Sequence, residues 1–188
     1  MKLIATHDSA TGEKPTWWSA WTIPFARTQG KTRAEQYAAG CRSFDIRVRK
    51  VRGEWKCAHG LFVTRRAAYD IIAEIAMLGE ECMACLTYEG GAEHTDEFKK
   101  FAVYIREAFK TIIWGPAAIK YGKDAKGVNV KYENVLSSQG RYTGGAQGFL
   151  PLDGRSWHTY LPIPWLWDRL YKRPHKFNEK YFTYVDFL

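Results

Sequence analysis

The chain has 188 residues, 46% hydrophobic and 26% charged, enough for one compact domain with a sizeable core and too few for two ordinary ones, so disorder and a membrane-embedded class are excluded. Lysine and arginine number 28 against 20 aspartates and glutamates, a formal net charge of +8, which favours anionic partners: phospholipid surfaces, nucleic acid or phosphorylated small molecules. No apolar run approaches the roughly 18 residues a membrane span requires, and the four cysteines suggest reduced thiols rather than a stapled scaffold at this length.

Residues 2–6 read as a short buried strand that runs straight into His7, Asp8 and Ser9, delivering an imidazole and a carboxylate to a strand end. TWWSAW at 16–21, followed by IPF at 23–25, sets Trp17, Trp18 and Trp21 at helical i, i+1, i+4 spacing. Tryptophan suits the lipid–water boundary, and a lid or a small satellite core explains the pattern equally well. Residues 31–39 look helical.

The stretch SFDIRVRK predicts a strand over 43–49, with Phe44, Ile46 and Val48 on one face and Asp45, Arg47 and Arg49 on the other. A solvated sheet face accounts for this. In a parallel sheet both faces are covered, and there the buried charges must pair or bind an anion. A second strand over 54–58 ends at His59, immediately before Gly60, where a sharp turn exposes the imidazole. Two strand-end histidines separated by an acidic-basic strand suggest a general base and a general acid.

Residues 67–78 read as a helix, and a strand over 82–88 brings Glu89 to its end just before glycines. Cys82 and Cys85 have C-x-x-C spacing, but a strand sends the two thiols to opposite faces, against metal or redox use. Residues 96–111 form the clearest amphipathic helix, with Phe98, Phe101, Ile105 and Phe109 near helical spacing. Glycines, prolines and aromatics crowd 140–154 and 160–171, predicting long loops, and a final strand over 181–187 carries Asp186. The alternation of strands and helices predicts a single α/β domain over 1–188 with a largely parallel sheet.

In this order the residues resemble the bacterial phosphatidylinositol-specific phospholipase C family. The resemblance rests on THDS at 6–9, TQ at 28–29, Q-x3-G-x-R-x-FDIR from Gln36 to Arg47, HG at 59–60, the strand ending in Glu89, and VDF at 185–187. It implies a small, distorted or incomplete (β/α) TIM-type barrel with its site at the carboxyl-terminal rim of the strands. It makes His7 the base that activates a substrate hydroxyl, His59 the acid that protonates the leaving alkoxide, and Arg47, beside Asp45, the clamp on the phosphate. Asp186 would hydrogen-bond His7, and Asp8 would do the same for His59. Arg47 fills the space where calcium-dependent members of the superfamily hold their ion, so no metal or other cofactor is expected; Asp8, Asp45 and Glu89 keep calcium open.

Thr87 stands where the family carries a lysine, so one charged substrate contact is missing. Glu89, Thr87, Arg141, Trp157 and His158 are the substrate-side candidates, with Tyr142 beside them. Trp17, Trp18 and Trp21 fall where family members touch membranes, and the net positive charge suits an anionic bilayer. The activity implied is metal-independent cleavage of phosphatidylinositol or a related polyol phosphodiester through a cyclic phosphate. A catalytically weak phosphate- or lipid-binding module on the same fold is the alternative, and nucleic-acid binding ranks last because no recognition motif accompanies the charge. As written the chain is expected to be cytoplasmic, or secreted if a leader has been removed.

Overall fold

The computed structural model describes residues 4–80, 82–90 and 94–109, together with the backbone of 183–185. It is a mixed α/β structure in which β1 (Ile4–Thr6), β2 (Cys41–Val51), β3 (Glu54–His59), β4 (Phe62–Ala67), β5 (Met83–Tyr88) and β6 (Thr183–Val185) join one six-stranded sheet. Among the described residues the sheet is open. The helices are α1 (Ile23–Ala26), α2 (Arg33–Ala38), α3 (Ala68–Ala76) and α4 (Thr95–Ala108). Two short 3-10 segments, Ser9–Gly12 and Trp17–Thr22, cross the space after β1.

The long strand β2 organises the sheet. Its residues 43–48 pair in parallel with β5 along one edge. Overlap with that ladder forces β1 and β3 to share the other edge, β1 in parallel at Cys41 to Phe44 and β3 antiparallel at Val48 to Val51. Between those ladders, at Asp45 to Arg47, the shared edge forks. On the far side of β1, β6 pairs in parallel, with Val185 opposite Thr6.

The sheet is therefore mixed rather than largely parallel, because β3 and β4 return as antiparallel hairpins. Arg52 and Gly53 form a two-residue turn with both φ angles positive, 51° and 83°, which matches the twist of a tight hairpin. Strand β4, which the pattern of alternation did not reveal, pairs with β3.

Alternation along β2 sends Phe44, Ile46 and Val48 into the core with Leu86 and Tyr88, against Ile71, Ile72 and Ile75 of α3 and Phe98 and Ile105 of α4. Trp55 stacks on Phe101 at 5.0 Å and meets Tyr88 and Phe98 edge-on, fastening the β2–β3 hairpin to α4. Thr32 and Glu35 form a capping box that starts α2. The first buried residue of that helix face, Arg33, pairs with Glu13 and, at 2.9 Å, with Glu74. Arg66 reaches the same two carboxylates at 3.1 and 2.6 Å, so one ionic cluster ties the segment after β1 to α2, α3 and β4.

Candidate active site

The fork in the edge of β2 gathers the reactive side chains. His7 and Asp8 enter from the end of β1, His59 from the end of β3, and Asp45 and Arg47 stand on β2 between them. The two imidazole rings lie 5.8 Å apart, centroid to centroid, edge to face at 68°. Asp8 is buried and adopts a left-handed backbone, φ 43° and ψ 52°, a conformation that aspartate tolerates better than most residues. That turn swings its carboxylate between the rings.

Asp8 Oδ2 lies 2.7 Å from His7 Nε2 and 3.3 Å from His59 Nε2, and Oδ1 lies 2.7 Å from Arg47 Nε. Among the described residues neither oxygen has an aligned hydrogen bond; three basic groups hold them by charge. Burial raises the Asp8 carboxyl, but Arg47, His59 and His7 together outweigh it, and the group is pushed well below the usual carboxylate range. Its backbone N–H donates to Asp45 Oδ2 at 3.3 Å, and Arg47 Nε donates to the same oxygen at 3.1 Å.

The partners of the rings constrain their protons. His59 Nδ1 lies 2.7 Å from the Ala26 carbonyl, an acceptor only, so Nδ1 carries hydrogen. With Asp8 facing Nε2, both nitrogens of His59 have acceptors, the arrangement that suits an imidazolium. His7 Nε2 instead meets Arg47 Nη2 at 2.8 Å, a donor that calls for a lone pair, while Asp8 Oδ2 calls for a proton on the same atom. One nitrogen satisfies one demand at a time, so His7 has a favourable neighbour both before and after it takes up a proton.

Backbone anchors fix His7. Its carbonyl accepts from Thr28 Oγ1 at 2.9 Å and Gln29 Nε2 at 3.2 Å. Gln36 Nε2 donates to the carbonyls of Ser9 and Lys31, and Gln36 Oε1 accepts from Thr6 Oγ1. These buried amides explain why TQ and the glutamine of α2 accompany the histidine. On the opposite side Glu89 Oε1 accepts the Gly60 N–H at 2.7 Å, and Oε2 approaches Arg47 Nη1 at 4.0 Å. Gly60 has φ 57°, so the turn that exposes His59 depends on glycine and is braced from β5. Glu89 is thus committed to the turn and to Arg47, while Thr87 is the ladder partner of Arg47 on the same face.

Trp17 and Trp21 are 85% and 63% exposed, whereas Trp18 is half-buried; the first two are not a satellite core. Asp186, Arg141, Tyr142, Trp157 and His158 lie outside the described residues. The sequence reading missed the Glu13–Arg33–Glu74–Arg66 cluster, whose only signal was a charged residue at a core position of α2. It missed the β2–β3 turn too, for which Arg52-Gly53 between alternating strands was the cue.

His7, Asp8 and His59 bring three ligand atoms within 4.8 Å of one another. Two imidazoles and a carboxylate suit a transition ion better than calcium, which prefers oxygen. The Arg47 guanidinium touches His7 Nε2 and the Asp8 carboxylate, so a cation there meets fixed positive charge. The residues present fit a metal poorly.

No family model and no curated protein matches the chain. Among solved structures, it is similar to the phosphatidylinositol-specific phospholipase C of Listeria monocytogenes, with 21% identity over 58% of this chain and 40% of that one and a TM-score of 0.49. A mutant of the phosphatidylinositol-specific phospholipase C of Staphylococcus aureus shows 17% identity, covering 65% of this chain and 50% of that one, with a TM-score of 0.47. The chain thus spans half or less of the length of these two structures.

Proposed function

We propose that the protein is a metal-independent phosphodiesterase of the phospholipase C type, acting on phosphatidylinositol or a related polyol phosphodiester. The single observation that carries the reading is the pair of imidazoles facing each other at 5.8 Å with Arg47 alongside. His7 Nε2, its lone pair released as Arg47 turns to the phosphate, takes the proton of the hydroxyl next to the phosphodiester; that oxygen attacks phosphorus. His59, with an acceptor at each ring nitrogen, gives a proton to the departing alkoxide, and a cyclic phosphodiester results. Arg47 meets the charge that grows on the nonbridging oxygens in a site screened from water. Asp8 stabilises whichever imidazole is cationic, and Asp186 would serve His7 from the end of β6.

A distorted, incomplete barrel of one domain is the architecture proposed for the whole chain, with the fork at its carboxyl-terminal rim. Trp17 and Trp21 are proposed to touch an anionic membrane surface. A weak phosphate- or lipid-binding module is the second reading, favoured by the uncharged Thr87 beside Arg47 and by the Asp8 carboxylate lying between the cations.

Turnover of a chromogenic inositol phosphodiester decides between them. His7→Ala and His59→Ala are each expected to lose about 10²- to 10⁴-fold in rate, and chelator is expected to change nothing. Retention of more than a tenth of the wild-type rate in either variant would remove the mechanism, and saturable binding without product would leave the binding module.

A further inference from the structure

The wall beyond Arg47 carries cations that the acid–base reading does not use. Alternation along β2 puts Arg47 and Arg49 on one face, and the hairpin ladder sets Lys56 opposite Arg49. Arg52, Lys56 and Arg65 line an open groove of about 590 Å³ whose other wall includes Trp17 and Trp18. Among the described residues the side chains of Arg49, Arg52 and Arg65 form no hydrogen bond or ion pair. Lys56 Nζ is fixed by Glu54 at 2.9 Å and by the Arg65 carbonyl at 2.8 Å, so Glu54, the acid that lines the groove, is already committed to Lys56. Arg49, Arg52 and Arg65 therefore present positive charge without a counter-ion among the described residues.

We infer that the cationic wall at Arg49 and its ladder partner Lys56, which continues through Lys56 into this groove, is a subsite for a second phosphate, a phosphomonoester on the same polyol whose diester sits at Arg47. The inference rests on the phosphodiesterase reading for the place of that diester. Residues two apart on a strand are separated by about 7 Å, a distance that one small ring bearing two phosphates spans. A phosphomonoester dianion matches the guanidinium fork, and the indole wall offers a flat apolar surface to the C–H face of the ring.

Tryptophan fluorescence titration of the full chain tests this with soluble inositol 1-phosphate, inositol 1,4-bisphosphate, inorganic phosphate and phosphatidylserine vesicles free of phosphoinositide. The bisphosphate is expected to bind at least tenfold more tightly than the monophosphate or inorganic phosphate. Arg49→Gln and the exposed Arg65→Gln are each expected to erase most of that preference, whereas Lys99→Gln on α4, with the same change in net charge, keeps it. The same ratio is expected in kcat/KM for glycerophosphoinositol 4-phosphate over glycerophosphoinositol. Equal affinity for the two inositol phosphates, inorganic phosphate binding as well as the bisphosphate, binding to vesicles alone, or equal loss in Lys99→Gln would each overturn it. Tight, Arg49-dependent bisphosphate binding without turnover would sink the phosphodiesterase and keep the subsite.

Discussion

Asp8 is the residue on which the site turns. A buried carboxylate with neither oxygen in an aligned hydrogen bond among the described residues is costly unless its neighbours are cationic, and here Arg47, His59 and His7 supply that charge. Its folded-state acidity is greater than in the unfolded chain, so its contribution to stability is fully present above the ordinary aspartate pKa of about 3.9. It fades as pH falls below that value toward the folded one. Asp8→Asn should therefore destabilise the fold at pH 7 by about 3 kcal/mol, the lower end for one partner lost from a buried pair, since Asp45 and Glu89 still flank Arg47. Urea unfolding should show the gap to wild type closing by up to about 1.4 kcal/mol per pH unit below pH 4; a constant gap would mean Asp8 is not held by charge. The cysteines behave in the opposite sense. Burial pushes the Cys41 and Cys57 thiols up to about 12, so a thiol reagent at pH 8 should modify neither until denaturant is added.

At the level of elements, the strap across α2, α3 and the segment after β1 is ionic where most such joints are apolar. Arg33 is fully buried, yet its Nε and Nη1 have no hydrogen-bond partner among the described residues, so the strap is an expensive way to hold these pieces. Arg33→Met should lose no more than about 3 kcal/mol, because Arg66 remains to neutralise both glutamates, and adding Glu13→Gln should recover part of it in thermal unfolding. Phe98→Ala, by contrast, empties a fully buried position facing Tyr88 and Trp55 and should cost about 3–5 kcal/mol by the same measurement. Period-2 runs made β1, β2, β3 and β5 readable, and α4 was plain from its apolar stripe. Strand β4 escaped because FVTRRA lacks alternation, its Thr64 being buried through a bond to the backbone of Cys57. His7, His59 and Arg47 were legible as strand-end and strand-face charges, but the sharing of Asp8 was not. It follows from a left-handed backbone that no residue pattern announces, and from a fork made by two ladders distant in sequence.

Taken whole, the described part of the molecule sets the exposed Trp17, Trp21 and Phe25 on segments that lead toward the fork, and the chain carries excess positive charge, +8. The 3-10 segment with Trp17 and Trp21 leads into α1, whose final residue, Ala26, bonds the His59 ring, and Leu61 in the turn after Gly60 is exposed as well. Anything that covers these side chains also approaches the imidazoles. Indoles prefer the lipid–water boundary, and basic residues near an anionic leaflet each add about 1 kcal/mol of attraction that salt screens over roughly 10 Å. Co-sedimentation should therefore show binding to phosphatidylserine vesicles that weakens as salt rises, with little binding to neutral phosphatidylcholine. Trp17→Ala with Trp21→Ala should reduce the bound fraction severalfold at every salt concentration, because those side chains contribute through apolar insertion rather than charge. Undiminished binding in the double variant would assign any membrane affinity to the basic face alone and leave the two tryptophans without a part in docking.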